Sequence, residues 1–245
     1  MLRNKIATIW WFLWSALFAL LYFNHVSFAD APYQTGERSR HGIGKYYMGR
    51  EISQVMGHRG ARWLERHERS QEEATDLLLD LLPLESTMIV ADIGAGTGYF
   101  ALPIAKRVPD GKVLAVDIQP QMLELIRSNA ETLNITNLNL IQGRIDNPLL
   151  PAGEVDIALL VDAYHEFEYP HEMAVGIWEG LKPGGRVVLV EYRAEDPDVP
   201  ILKLHKMSAE QAIKEWQAAG YIFEQNISVL PQQHVLIFRK PVPEL

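Results

Sequence analysis

The stretch Val90-Ala91-Asp92-Ile93-Gly94-Ala95-Gly96-Thr97-Gly98-Tyr99-Phe100 decides the fold. It begins inside an apolar run, residues 88–91, of the kind that forms a strand buried on both faces. Residues 99–108 read as a helix. Three glycines at alternate positions lie between the two. They permit a tight turn and let a ligand reach the backbone without meeting a side chain. Such a turn lies at the carboxyl end of its strand, where open α/β sheets bind ligands. The dinucleotide fingerprint G-x-G-x-x-G is not met. The third glycine comes one place early, and Tyr99 stands where that pattern needs glycine or alanine.

Downstream, strand and helix alternate. Strands are expected over residues 112–116, 138–141, 155–161 and 186–191. Helices are expected over 120–133, with Pro120 in the first turn, and over 170–181, stopped by Lys182-Pro183-Gly184-Gly185. Ser208 and Gln211 form a capping box that opens a helix to residue 219. Two strand-like runs follow, 221–230 and 234–239. Only three residues separate them, so they should pair antiparallel. Upstream, Ser70 and Glu73 read as another capping box, leading into Ala74, Leu77, Leu78 and Leu81 at helical spacing. The pattern predicts an α/β fold: a doubly wound, mostly parallel seven-stranded sheet of Rossmann-like type. It has helices on both faces and an antiparallel C-terminal hairpin.

The 245 residues hold 48% hydrophobic and 22% charged residues, enough apolar surface for a folded core. No cysteine is present, which excludes disulfides, thiolate metal sites and a cysteine nucleophile. A formal charge of −8 argues against a sequence-independent grip on nucleic acid. Residues 6–23 carry no charge, follow Arg3 and Lys5, and precede Val26-Ser27-Phe28-Ala29. This predicts a signal peptide cut after Ala29 and an exported, periplasmic or extracytoplasmic body. The rival is an uncleaved membrane anchor, since 18 helical residues rise about 27 Å. Residues 30–69, with six glycines and Tyr33, Tyr46, Tyr47 and Trp63, read as an arm that either closes over a site or covers the sheet. The remaining domain is taken as 70–245.

The motif Asp92-x-Gly94-x-Gly96-x-Gly98 resembles the cofactor loop of the class I S-adenosylmethionine-dependent methyltransferases. Asp117, closing the strand at 112–116, is similar to their second-strand acid, and residues 181–186 to the turn before their fifth strand. The resemblance covers roughly residues 70–240. It implies that Asp92, Gly94, Ala95, Gly96, Gly98, Asp117, Ile118, Ile145, Asp146 and Asp162 hold S-adenosylmethionine. Asp117 would accept the ribose hydroxyls, although an acid beginning a helix also suits the helix dipole. Relatives place Gly-Asp-Ala after the third strand. Here Arg144 stands where the acid is usual, and Asp146 either meets the adenine or begins a turn before Pro148. Asp92 and Asp162, near strand ends, suit the cationic sulfonium.

The loop Asp162-Ala163-Tyr164-His165-Glu166-Phe167-Glu168-Tyr169 faces the same crevice by the switch-point rule. His165 is the candidate base and Glu166 the alternative; both could instead cap the next helix. Tyr192 and Arg193 leave the fifth strand at the same edge and suit a polar substrate. His58, His165 and His205 with Glu191 are candidate metal ligands by type, but no chelating spacing such as His-x-x-x-His occurs, so no metal is expected. The implied activity is methyl transfer to a small-molecule or lipid-like acceptor, membrane attachment through residues 6–23 favouring the latter. A non-catalytic exported binding module on the same fold is the alternative. The number of copies stays open.

Overall fold

The computed structural model describes residues 33–243. The signal peptide or anchor expected over residues 1–29 lies outside them. Among the described residues no helix is long and apolar enough to cross a membrane.

Seven strands form the main sheet: β4 (Ile89–Ile93), β5 (Lys112–Asp117), β6 (Leu138–Gln142), β7 (Val155–Val161), β8 (Leu181–Tyr192), β9 (Ile222–Ile227) and β10 (Gln233–Arg239). Their order is β6-β5-β4-β7-β8-β10-β9. The first five are parallel; β10 runs antiparallel to both β8 and β9. The fold class is the one expected. The order reverses between β4 and β7, so the switch-point crevice opens at their carboxyl ends. Alternate residues of each strand feed two cores. One holds Val90, Val113, Leu159 and Val190 with Phe100 and Ile126; the other holds Ala91, Leu114, Leu160 and Leu189 with Ile177 and Trp216. Both faces of the central strands β4, β5, β7 and β8 are therefore dry, which is why these strands are largely apolar, while the edge strands β6 and β9 carry polar, exposed residues.

The helices are α1 (Ala61–Leu64), α2 (Arg69–Glu72), α3 (Thr75–Leu81), α4 (Ala101–Arg107), α5 (Pro120–Thr132), α6 (Pro170–Gly180) and α7 (Ala209–Ala218). Ser208 Oγ accepts the Gln211 N–H at 3.1 Å, the N-cap half of the expected box, while the Gln211 side chain donates to Glu215 and to the Met48 carbonyl. The other expected box does not form. Ala74 takes φ of +49° and breaks the chain between α2 and α3, and Ser70 Oγ reaches back to the His67 carbonyl at 3.4 Å. Glu73 is occupied elsewhere, paired at 2.7 Å with Arg66 and at 2.9 Å with Arg69. The Lys182–Gly185 segment also differs from the expected stop between helix and strand. It bulges inside β8, whose register against β7 jumps from Val155↔Leu181 to Ile157↔Arg186. Gly184, at φ of +77°, makes this turn.

Ahead of the sheet, β1 (Tyr33–Thr35), β2 (Gly42–Tyr47) and β3 (Arg50–Ser53) form a separate antiparallel sheet in the order β1-β2-β3. Met48 and Gly49 both have positive φ, 49° and 97°, and Tyr47 pairs with Arg50. This is the two-residue hairpin turn whose twist matches that of the strands.

Candidate functional site

A cavity of about 560 Å³ lies at the switch point. That is within the range of about 300–1,000 Å³ typical of small-molecule sites. Its floor is the glycine turn. Gly94 and Gly96 line it, with φ of 78° and 55°. Positive φ disfavours a side chain at both, most at Gly94. A Cβ at Gly94 would stand 2.7 Å from Ala163 Cβ, and one at Gly96 would stand 2.8 Å from Leu64 Cδ1. Backbone N–H groups of Gly94 and Ala95 both donate to the Val116 carbonyl, at 2.8 and 3.0 Å, and fix the turn against β5.

Asp117 closes β5 at the cavity wall. Its Oδ2 accepts the Gly96 N–H at 3.0 Å and its Oδ1 accepts the Gln119 N–H at 2.8 Å. Each carboxylate oxygen keeps a further lone pair for a ligand hydroxyl. Burial pushes this carboxyl up, against the pull of the Gln119 and Gly96 N–H groups. Beside it Ile118 and Ile145 present exposed apolar faces to the cavity, and Arg144 lines it too.

Asp162 follows β7 with φ of +49°. Gln233 Nε2 donates to its Oδ2 at 2.6 Å, while Oδ1 is buried without a partner. Burial, with Glu73 and Glu191 nearby, pushes its carboxyl well above the usual carboxylate range. Arg69 shares this wall, held by Glu73, by the Leu64 carbonyl at 3.0 Å and by the Tyr99 ring at 4.3 Å.

His165 and Glu166 come from a short turn, Tyr164–Glu166, before α6. Buried Glu191 accepts from both the His165 N–H, at 3.1 Å, and its ring Nδ1, at 2.6 Å. Burial alone would lower the His165 pKa; the charge and hydrogen bond of Glu191, with Glu166, outweigh it and raise it. His205 Nδ1 lies 3.1 Å from His165 Nε2.

Of the expected site residues, Gly94, Gly96, Asp117, Ile118, Ile145, Asp162, His165 and Glu166 line the one cavity. Four others are placed elsewhere. Asp92 points to the start of α4, where its carboxylate takes the Ala101 N–H, and its Oδ2 is buried and unpartnered. Ala95 packs in the core, and Gly98 lies against Ile126 and Leu102. Asp146 is exposed outside the cavity wall, because the chain turns there and presents Arg144 and Ile145 instead. Tyr192 lines the cavity, but its hydroxyl donates to Glu73 at 2.8 Å, and Arg193 is committed to the Leu230 and Gln233 carbonyls.

The arm, expected either to close over a site or to cover the sheet, supplies much of the wall. Gln54, Val55, Met56, Trp63 and Leu64 line the cavity. Arg50 pairs with buried Glu215 through two bonds of 2.9 Å and donates to the His165 carbonyl at 3.2 Å. The Met56 N–H donates to Glu166 Oε2 at 3.0 Å, and Gln119 Nε2 to the Met56 carbonyl at 3.1 Å. The one local signal for this sheet is Met48-Gly49, a residue followed by glycine at a hairpin tip.

Fold and cavity define an α/β protein of the Rossmann-like class with a ligand site at the switch point. A family model described as a methyltransferase domain matches residues 84–233, and the chain belongs to that family. It is 31% identical over 160 residues to the release factor glutamine methyltransferase of Koribacter versatilis, covering 54% of this chain and 56% of that protein. It is 30% identical over 125 residues to the demethylmenaquinone methyltransferase of Thermus thermophilus, covering 51% and 54%. The chain thus spans little more than half the length of these curated relatives. A crystal structure of a SAM-dependent methyltransferase from Aquifex aeolicus superposes with a TM-score of 0.71 at 19% identity, covering 76% of this chain and 99% of that one.

Proposed function

We propose that the protein is an S-adenosylmethionine-dependent methyltransferase acting on a small-molecule or lipid-like acceptor. The observation that carries this is Asp117. A carboxylate braced by two backbone N–H groups, at the rim of a turn whose glycines take positive φ, is suited to the hydroxyls of a ribose. The apolar faces of Ile118 and Ile145 suit an adenine ring. Arg69 suits a carboxylate, and the unpartnered Asp162 oxygen suits a cation such as a sulfonium or ammonium. When bound, the cofactor supplies an electrophilic methyl group. The chain's share is to hold cofactor and acceptor in one geometry and exclude water. His165, oriented by Glu191, and Glu166 are the groups that activate the acceptor. Lipid-like acceptors belong to this reading because of the uncharged run at 6–23.

Calorimetric titration with S-adenosylmethionine tests it. The wild-type protein should bind one equivalent, and Asp117→Ala should weaken binding tenfold or more, on the order of 1.5–3 kcal/mol for charge-assisted hydrogen bonds. Transfer of labelled methyl to a component of a lipid or small-molecule extract would then separate an enzyme from a binding module. Equal affinity in wild type and Asp117→Ala would remove the ribose assignment.

A further inference from the structure

We propose that His165, Glu166 and His205 bind a divalent transition-metal ion, zinc foremost, at the cavity wall. Three donor atoms converge there from two loops. His165 Nε2 lies 3.1 Å from His205 Nδ1 and 3.8 Å from Glu166 Oε1. His205 Nδ1 lies 3.4 Å from the same Glu166 oxygen. A tetrahedral ion held by nitrogen and oxygen at about 2.0–2.1 Å sets its ligands about 3.3–3.4 Å apart. The three separations bracket that value, so an ion enters without any change of fold.

The atoms not facing the ion are already fixed. His165 Nδ1 donates to Glu191 Oε2 at 2.6 Å, which leaves the Nε2 lone pair for the metal. This is the carboxylate–histidine–metal arrangement that sets a ligating imidazole's tautomer and raises its basicity. Glu166 Oε2 accepts the Met56 N–H, which leaves Oε1 for the metal. His165 and Glu191 are buried, while Glu166 and His205 are half-buried, so an ion has a route in from the cavity. All three ligands line that cavity, so a fourth ligand would come from it. Two imidazoles and one carboxylate with an open position are the donor set of catalytic zinc and of non-haem iron(II).

The metal site stands on this geometry alone. Its role rests on the methyl-transfer reading: the open position takes an oxygen of the acceptor, which restricts acceptors to molecules bearing a hydroxyl or carbonyl beside the methylated atom. An ion held there would lower the pKa of a coordinated hydroxyl, whose proton would pass to solvent as the acceptor binds. His165 is then a ligand rather than the base.

The test is a calorimetric titration of the tag-free full chain, in detergent and stripped with a chelator, against zinc chloride. Cobalt(II) absorption reads the coordination. One equivalent should bind, and His205→Ala should bind at least tenfold more weakly. Glu166→Gln, whose amide oxygen can still accept the Met56 N–H, should also lose at least tenfold and guards against misfolding of the first variant. His58→Ala should bind like the wild type. Absence of stoichiometric zinc in the wild type, equal affinity in His205→Ala and Glu166→Gln, or loss in His58→Ala would overturn the site and leave the cluster as a hydrogen-bonded pair of imidazoles. Cofactor binding by the same stripped protein is read separately. Zinc bound without it would uphold the site and overturn its role toward an acceptor.

Discussion

The two sides of the cavity are built on different principles. On one side, the turn Gly94–Gly98 and Asp117 lie on two neighbouring parallel strands within 24 residues, and backbone groups do most of the shaping. On the other side, His165, Glu166, Glu191 and His205 come from three segments, and the arm braces them through Arg50, Ser53 and Met56. A ligand common to a whole family can be held by a turn that local sequence encodes. A chain's own acceptor requires side chains that only the tertiary structure assembles. Substitutions should divide along the same line.

The largest effect is expected on the assembled side. Arg50→Ala leaves the fully buried Glu215 carboxylate without its partner, and should destabilise the protein by roughly 3–5 kcal/mol in denaturant unfolding. A loss under about 1 kcal/mol would mean that the arm does not brace this side. On the local side, Gly94→Ala puts a Cβ 2.7 Å from Ala163 Cβ at φ of +78°. The combined strain and overlap should cost on the order of 2–4 kcal/mol and abolish cofactor binding, while zinc binding by folded protein persists. If both ligands are lost together in folded protein, the division fails.

A subtler effect belongs to Asp92. Burial, with Asp117 adding to it and the Ala101 N–H and Arg69 opposing, raises its pKa from 3.8 to about 7. A raised carboxyl favours folding while it is protonated. Its contribution is therefore full below about pH 4 and is lost as pH rises through 7. Asp92→Asn lacks this titration. The stability of wild type relative to Asp92→Asn should fall between pH 4 and pH 7 and level off above. A flat difference across that window would place the Asp92 carboxyl in a solvated or charge-paired setting.

What the sequence made legible follows the same division. β4, β5 and β7 are apolar runs, the glycine turn is contiguous, and the closing hairpin has only the five residues 228–232 between its strands against the three expected, so periodicity and turn chemistry suffice. The arm sheet has strands of three, six and four residues, with a turn that forces Met48 to positive φ. Such strands persist because Arg50, Ser53 and Met56 find partners elsewhere, and no local pattern records that. Ser70 and Glu73 have capping-box spacing, yet Arg66, Arg69 and Tyr192 provide Glu73 with buried partners that outcompete a solvent-facing cap. Asp146 and Arg144 illustrate the limit of register: two residues separate a cavity wall from solvent. The metal-binding proposal has no spacing signal for the same reason, since 39 residues separate Glu166 from His205.

The central claim is that the pocket between the glycine turn and Asp117 holds an adenosyl cofactor. A crystal structure of the protein soaked with S-adenosylhomocysteine tests it most directly. Ribose hydroxyls are expected on the Asp117 carboxylate and the adenine between Ile118 and Ile145. Ligand density elsewhere, or a turn that admits no nucleoside at saturating concentration, would contradict it.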